Sequence, residues 1–567
     1  MLKISYGLLD VTAADDATSS CTDIQQFSDI QVIHTPDLDN LPVEPWATLE
    51  LNQWLLDGSK KQWPQEPAAE NFGLWSKQMS DENGDFSEPV VLTIYFTDNH
   101  TSDGLTMYFR PDSGDYPASM RVEYYGSDGM ILDKTYTPDA PVYFADGKAE
   151  DYKKIVLTFY GTNLPHRYLK LTELKYGSIK IFDEDSVISA DIYEEIDRTG
   201  AELSINTLEF MIYTEDFQLL DPTGTYKMLQ QKQAITATLY DDDGVATDMG
   251  TFFLEEPTSE DDDTTTLSCV DFLGVIDKTD FMGGVYNNKN AGELLDEIMA
   301  SAEVELDEYE ATEELRAKNI TGWIPICTHR AALQQWAFAV GAVVDCSRGK
   351  KIRAYAPEMQ VRGTITHDDK FIGHSVKLKA LVTGVEVTTH KYTAAASSAT
   401  AFEGVLPAGT HVVTFSEPHT SLSASGATIT SSGENYAVVN VTTAGTVTIT
   451  GKRYEDSTGI VGVYAAELPA NAKPNVVTVD AQATLVNADN AQSIAQRLFN
   501  YYQNRYTDEG EIVLAGQQAG HLWRMNSLNN RDLLGSLDSL EIDLMTEIAT
   551  VKLTGVSVER EVQAYGR

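Results

Sequence analysis

The stretch that decides the fold reads LSINTLEFMIY at 203–213, AITATLY at 234–240 and GTFFLEEPTSEDDDTTTLSCVDFLGVID at 250–277. Apolar and polar side chains alternate within these runs, which is the period of a half-buried β-strand. Gly, Pro, Asp and Ser separate the runs, and these residues favour tight turns. The region 178–275 is therefore predicted to be a series of β-hairpins.

Acidic side chains are concentrated at these predicted hairpins. Residues 241–263 carry ten Asp or Glu and no Lys or Arg. The spacing lacks the alternating oxygen ligands, central Gly and distal Glu of a calcium loop. Solvated hairpin tips are the favoured interpretation, because runs of like charge usually mark solvated turns.

The whole chain is strongly acidic. Its 567 residues include 86 Asp and Glu against 41 Lys and Arg, so the formal net charge is −45. Proteins that wrap nucleic acid or bind anionic membranes need basic surface, so both classes are excluded. A passage through which DNA merely slides is not excluded.

On either side of the predicted hairpins, the pattern of apolar and polar residues is different. Residues 22–177 contain aromatic-rich alternating runs such as VVLTIYF at 90–96, separated by turn clusters, which favours a β-sandwich. Residues 276–362 contain two helical patterns, with Asn290 and Thr328 as their N-caps, and a following hairpin. This second region is predicted to be a small α/β module.

Strand patterns return at 363–392 and 455–567, where one amphipathic helix follows Asn487 and Asp489. Between them, residues 393–454 are dominated by Ser, Thr, Ala and Gly. This composition predicts a small inserted β domain or flap.

The cysteines indicate neither zinc nor disulfides. They are scattered without paired spacing, which favours free thiols in a reducing compartment. They are Cys21, Cys269, Cys327 and Cys346. The N-terminal sequence lacks the pattern of a signal peptide, and no apolar run is long enough for a membrane span. A soluble protein without a signal peptide is expected.

No catalytic motif is recognised. HExxH, GxSxG, GxxxxGK[ST] and GxGxxG contexts are absent, and His367, His374 and His390 fall on separate predicted strands. A glycosidase needs only a pair of carboxylates, and a chain this acidic always offers one, so that signal is uninformative. No catalytic residue, cofactor or metal ligand is predicted, and the protein is interpreted as a non-enzyme.

The order of the elements carries a resemblance. Acidic hairpins run into TTTLSCVDFLGVIDKTDF at 264–281, followed by a helical ALQQWAFAVGAVV at 332–344 and a late helical NAQSIAQRLFNYYQNRY at 490–506. Over 178–392 and 455–567 this order resembles the baseplate hub, or tail-tip, proteins of tailed bacteriophages and related prophage particles.

That resemblance implies a mainly β, multidomain structural protein of a virion tail, assembled in the host cytoplasm. Two β-barrels per subunit of a homotrimer would form a pseudo-sixfold ring around the DNA exit path. The implied partners are the tail tube or a distal tail protein, the tape-measure protein, the central spike or tip and other baseplate proteins. DNA would pass without specific binding. The predicted domains are a first barrel at 1–21 and 178–275, a sandwich insertion at 22–177, the α/β module at 276–362, a second barrel at 363–392 and 455–567, and a β insertion at 393–454.

The sandwich has a resemblance of its own. Its stretches ATLELNQWLLDG at 47–58, FGLWS at 72–76 and LTIYF at 92–96 resemble galactose-binding-like, discoidin-type jelly rolls. Such domains often bind sugars through loop aromatics. The candidate glycan contacts in predicted loops are Trp63, Tyr116 and His166, whereas Trp54 and Trp75 are predicted to lie in the core.

Two other function classes remain open at this point. One is a carbohydrate-binding surface protein that recognises host cell-wall glycan through 22–177. The other is a polysaccharide-degrading enzyme. Because the chain ends about where the last barrel is expected to close, no C-terminal lytic domain is expected, and no cysteine follows Cys346 to serve a Cys/His peptidase.

Overall fold

The computed structural model describes residues 1–34, 48–50, 73–110, 114–214, 234–241, 244–259, 261, 263–304, 306, 308–357, 359–468, 470–479 and 484–560. Two compact units are distinguished. The smaller unit runs from Ser5 to Ile181, and the larger comprises Met1–Ile4 and most of the chain from Phe182 onward.

The elements follow in chain order. The first are β1 (Leu2–Leu9), α1 (Val11–Asp16), β2 (Thr18–Cys21), a 3₁₀ turn (Val32–His34), β3 (Leu74–Met79), β4 (Asp85–Phe109), β5 (Met120–Gly126), β6 (Gly129–Tyr136), β7 (Val142–Gly161) and β8 (Tyr168–Lys175). Next are β9 (Gly177–Asp183), β10 (Val187–Glu195), β11 (Thr207–Tyr213), β12 (Ala234–Tyr240), β13 (Ala246–Thr258), β14 (Thr264–Val270) and α2 (Phe272–Ile276). Then come β15 (Asp280–Phe281), β16 (Gly284–Asn290), α3 (Ala291–Ser301), β17 (Tyr309–Ala311), α4 (Glu313–Arg316), β18 (Asn319–Ile324), β19 (Cys327–Thr328), α5 (His329–Val340), β20 (Val343–Asp345) and β21 (Ile352–Tyr355).

The last third is again mostly strands. They are β22 (Val361–Ile365), β23 (Ser375–Leu378), β24 (Gly384–Thr389), β25 (Tyr392–Ala394), β26 (Ala399–Leu406), β27 (Gly409–Thr414), β28 (His419–Ser425), β29 (Thr428–Ser432), β30 (Tyr436–Val441), β31 (Gly445–Asp456), β32 (Gly459–Tyr464) and β33 (Val476–Val479). The chain then forms α6 (Ala491–Tyr502), β34 (Tyr506–Val513), β35 (Leu522–Asn526), β36 (Arg531–Asp543) and β37 (Ile548–Glu559). The prediction of a mainly β, multidomain fold is confirmed.

The smaller unit is built on a seven-stranded antiparallel sheet in the order β3-β8-β4-β7-β5-β6, with β2 also paired to β4. The long strands β4 and β7 contain several shifts of register. Such irregularities increase local bending and twist. The predicted core residue Trp75 is buried here, and Trp54 lies outside the described residues.

Helix α1 was not predicted, since residues 1–21 read as strands and a polar loop. Asp10 is the N-cap of α1, and the Asp10 carboxylate accepts hydrogen bonds from the backbone N–H groups of Thr12 and Ala13. Six residues are too few to display the 3.6-residue period on which helix prediction depends. Strand β2, which follows α1, pairs with β4.

The larger unit contains most of a 13-stranded sheet, with the strand order β23-β34-β37-β36-β10-β11-β14-β13-β12, β35 on β36 and β22 on β35. Its two parts come from distant stretches of sequence. They meet where β10 pairs antiparallel with β36, and Ile192 lies opposite Ile542 at this joint. Alternate residues of β10 are buried, as the sequence pattern predicted.

The predicted helices of the α/β module are confirmed. The Asn290 side chain accepts from the N–H of Glu293 at the start of α3, and Thr328 caps α5 through the N–H of Ala331. The indole of Trp336 is fully buried and donates to the carbonyl of Ala291 at 2.8 Å, which joins the two helices.

Strands β25 to β31 form two small sheets around their own apolar core. Asn435 connects this core to the α/β module. Its amide donates to the carbonyls of Met282 and Ile324 at 2.8 Å each, and it accepts from the Trp323 indole at 2.8 Å. The division of the whole chain into five domains stays a prediction.

Candidate functional site

The exposed face of the 13-stranded sheet carries a row of carboxylates across three neighbouring strands. Asp191 on β10 lies opposite Glu209 on β11 and opposite Asp543 on β36. Glu541 lies two residues from Asp543, opposite Tyr193. The alternation that buries one face of each strand points these acids to the other face.

The proximity of these groups has an electrostatic consequence. Partial burial and the neighbouring carboxylates of Asp543, Glu541 and Glu209 raise the pKa of Asp191. Like charges directly opposite each other in a sheet are destabilising. The negative surface therefore lowers the stability of the fold. Such a surface repels polyanions at neutral pH.

Replacing Asp191 by asparagine is expected to stabilise the protein by about 0.2–1 kcal/mol at pH 7, since it removes one like charge from the row. A carboxyl with a raised pKa binds its proton more tightly in the folded state than in the unfolded state. Its destabilising effect is therefore present above that raised pKa and disappears as pH falls through it. Urea unfolding at pH 7 and pH 4 measures this difference, with Glu467→Gln as the control for an exposed acid outside the row. An equal gain from both variants at pH 7 would contradict the interpretation.

In the part of the chain that the structure describes, no group of three His, Cys, Asp or Glu side chains is arranged to hold a metal ion. Among those residues there is also no helix with the length and apolarity to cross a membrane. The four cysteines are free thiols, and burial raises the pKa of Cys269 and Cys346.

Two of the candidate glycan contacts lie in neighbouring loops of the smaller unit. The N–H of Tyr116 donates to the side-chain oxygen of Asn163 at 3.0 Å, and the N–H of Asn163 donates to the carbonyl of Tyr116 at 2.9 Å. His166 follows in the same loop as Asn163, is half-buried and has a φ of 56°. Trp63 lies outside the described residues. The structure thus brings the loops of Tyr116 and His166 together.

Sequence analysis missed a buried ion-pair group next to both residues. Arg167 Nε lies 3.0 Å from Asp115 Oδ1, and Lys170 Nζ lies 3.1 Å from Asp115 Oδ2 and 2.8 Å from Glu50 Oε1. The side chains of Glu50, Asp115 and Lys170 are at most 2% exposed. No local signal reveals this group, because its members pair only after the strands and loops have assembled.

No protein-family model matches the sequence, and no curated protein matches it. The chain is similar to the 43 kDa tail protein of prophage MuSo2 from Shewanella oneidensis, at 11% identity and a TM-score of 0.41, over 66% of this chain and 96% of that one. It is also similar to prophage tail protein gp18 from Listeria monocytogenes EGD-e, at 10% identity and a TM-score of 0.39, over 66% of this chain and 91% of that one.

A third similarity covers a shorter part of the chain. It is to the family 32 CBM from C. perfringens NanJ in complex with galactose, at 9% identity and a TM-score of 0.19. It covers 31% of this chain and 99% of that module. The structural neighbours thus include prophage tail proteins and a galactose-bound module.

Proposed function

We propose that this chain is a structural tail protein of a phage or prophage, and that it acts as a trimeric hub between the sixfold tail tube and the threefold central tip. The observation that carries the proposal is the joint between β10 and β36, which unites two multi-stranded parts of the chain in one sheet. Two comparable parts per chain give six surfaces in a trimer. Six such surfaces match a sixfold tube.

The row of carboxylates on β10, β11 and β36 supports a further part of the proposal, which is that this chain lines a DNA exit path. Asp191, Glu209, Glu541 and Asp543 would face the passage. A wall of this charge does not retain a phosphate backbone, because non-specific DNA binding depends on cationic side chains that release counterions. DNA would therefore slide past without specific contacts.

The purified protein is expected to be a trimer with a central opening. Light scattering coupled to size exclusion measures the mass, and negative-stain micrographs show whether rings form. A monomer at micromolar concentration without rings would overturn the hub proposal. A trimeric ring whose lining is basic would leave the hub standing and overturn the acidic path.

A second candidate function is recognition of a host cell-surface glycan by the smaller unit. It is favoured by the two loops that Asn163 joins, which carry Tyr116 and His166. A glycan array with the full chain and with Tyr116→Ala separates this function from the hub, because a hub needs no sugar affinity. Binding that depends on Tyr116 would support the glycan function, and absence of any binding would remove it.

A further inference from the structure

A lysine is enclosed with two carboxyl groups in the smaller unit. Lys170 lies on β8, which is buried along most of its length. Its Nζ is 2.8 Å from Glu50 Oε1 and 3.1 Å from Asp115 Oδ2. The three side chains are at most 2% exposed, and Lys170 Nζ also lies 5.2 Å from the centre of the Trp75 ring. The amine and the two carboxyl groups are therefore held together away from bulk water.

This arrangement places a nucleophile next to an electrophilic carbon. Cγ of Asp115 is bonded to Oδ2, the oxygen that Lys170 Nζ contacts. Groups that the fold fixes about 3–3.5 Å apart react as parts of one molecule, and the entropy cost of an encounter is avoided. A lysine amine that is removed from water is a nucleophile toward carbonyl carbons. Lys170 and Asp115 are therefore placed for amide formation.

Two further side chains are placed to assist the step. Glu50 Oε1 contacts the same Nζ, so its carboxylate can accept the ammonium proton that must leave before the nitrogen attacks. On the other side of the Asp115 carboxyl group, Arg167 Nε lies 3.0 Å from Oδ1. A cation at this oxygen stabilises the negative charge that develops there when the nitrogen adds to the carbon.

The charge balance of the group also favours condensation. The buried group contains two cations, Lys170 and Arg167, and two carboxylates, Glu50 and Asp115. Removing charges from water is costly even when they are paired. Condensation of Lys170 with Asp115 removes one cation and one carboxylate. Arg167 and Glu50 remain, so the charges that stay buried are still balanced.

We propose that Lys170 and Asp115 form an intramolecular amide bond. Lys170 Nζ gives one proton to Glu50 and attacks Cγ of Asp115, so that the Nζ–Cγ bond forms. The Cγ–Oδ2 bond then breaks. Oδ2 leaves as water with two of the three ammonium protons, one of which Glu50 returns, and Oδ1 stays as the amide oxygen. An ammonium and a carboxylate thus become one amide and one water, and no oxidant or cofactor is consumed.

The bond joins two elements next to the candidate glycan contacts. Asp115 directly precedes Tyr116, and Lys170 follows His166 on the adjoining strand β8. A covalent link between residues far apart in sequence restricts the unfolded chain, and a disulfide stabilises a fold in the same way. The amide therefore fixes the loop of Tyr116 on β8. This role is separate from the hub and from glycan binding.

Mass spectrometry of the full-length protein under denaturing conditions tests the proposal. The wild type is expected to be lighter than calculated for its sequence by the mass of one water. A protease digest is expected to yield one branched peptide that contains both Lys170 and Asp115. A mass equal to the calculated one would overturn the proposal, and so would a loss of water that fragmentation assigns to other residues.

Matched variants test the roles of the side chains. Lys170→Met is expected to have the mass calculated for its own sequence, whereas Lys134→Met, which changes a lysine of the exposed pair with Asp146, should still lose one water. Glu50→Gln is expected to form the bond about 10²-fold more slowly, because it cannot accept the ammonium proton. The time course of the mass change after synthesis measures this rate.

Two outcomes would contradict these assignments. A Lys170→Met protein that still loses water would overturn the amide bond. A Glu50→Gln protein that links as fast as the wild type would overturn the role of Glu50 as the base.

Discussion

Replacing Arg348 by methionine is expected to destabilise the larger unit by about 3–5 kcal/mol. Arg348 Nε donates to Oε1 of Glu194, and Nη2 donates to the carbonyl of Gln517 at 3.2 Å. The Glu194 side chain is 1% exposed. Burial raises the pKa of Glu194, and the guanidinium of Arg348 opposes that rise. Without Arg348, the protein must either bury an uncompensated carboxylate or bind a proton, and both cost stability.

Urea unfolding followed by circular dichroism measures the loss. The matched control is Arg453→Met, since Arg453 forms an exposed pair with Glu417 and such pairs contribute about 0–1 kcal/mol. The destabilisation by Arg348→Met should decrease as pH falls, because protonation of Glu194 removes the buried charge. The double variant Glu194→Gln with Arg348→Met should lose less than the sum of the single variants. Additive losses would show that the two side chains do not act as a pair.

Local chemistry accounts for the elements that the sequence predicted correctly. Asn290 and Thr328 cap α3 and α5 through their own side chains, so three or four residues contain the whole signal. Alternation along β10 and β11 likewise identifies the buried face without any knowledge of the neighbouring strands. The mainly β fold class follows from such patterns alone.

The candidate site depends on contacts that no local pattern contains. Asp191 and Glu541 each read as an ordinary exposed polar position in an alternating strand. They become neighbours only because β10 pairs with β36, and the register of this pairing is set by the packing of both buried faces. Arg348 lies in the hairpin that was predicted after the two helices and has a φ of 55°, but its buried partner Glu194 lies far away in sequence. Pairing between distant strands is a property of the assembled fold.

The exposed residues Phe371 and Ile372 show the same limit from the opposite side. Phe371 and Ile372 stand in a stretch that predicts strands, and apolar residues in strands normally face a core. The structure exposes both because Lys370 and His374, on either side, are held by the buried Asp508. The exposure of these two side chains therefore depends on Asp508, which lies on a strand more than a hundred residues further along the chain.

Replacing Lys170 by methionine is expected to destabilise the smaller unit by about 3–5 kcal/mol. Lys170 Nζ lies between two buried carboxylates, 2.8 Å from Glu50 and 3.1 Å from Asp115. Arg167 still neutralises Asp115 after the change, at 3.0 Å. Glu50 retains the N–H of Tyr168 at 2.8 Å but has no remaining cation among the described contacts. The cost therefore arises mainly at Glu50, whose buried carboxylate is left without a cation.

Lys134→Met supplies the matched control, because Lys134 pairs with Asp146 on the surface of the same unit and the change removes the same side chain. A loss of at most about 1 kcal/mol is expected there. Hydrogen exchange measured on peptides of β7 and β8 gives the local free energy of opening in both variants. Equal losses of stability in the two variants would show that removing a cation from a buried ion pair costs no more than removing one from an exposed pair. Recovery of stability by Glu50→Gln in the Lys170→Met background would locate the cost at the unpaired carboxylate, as the geometry requires.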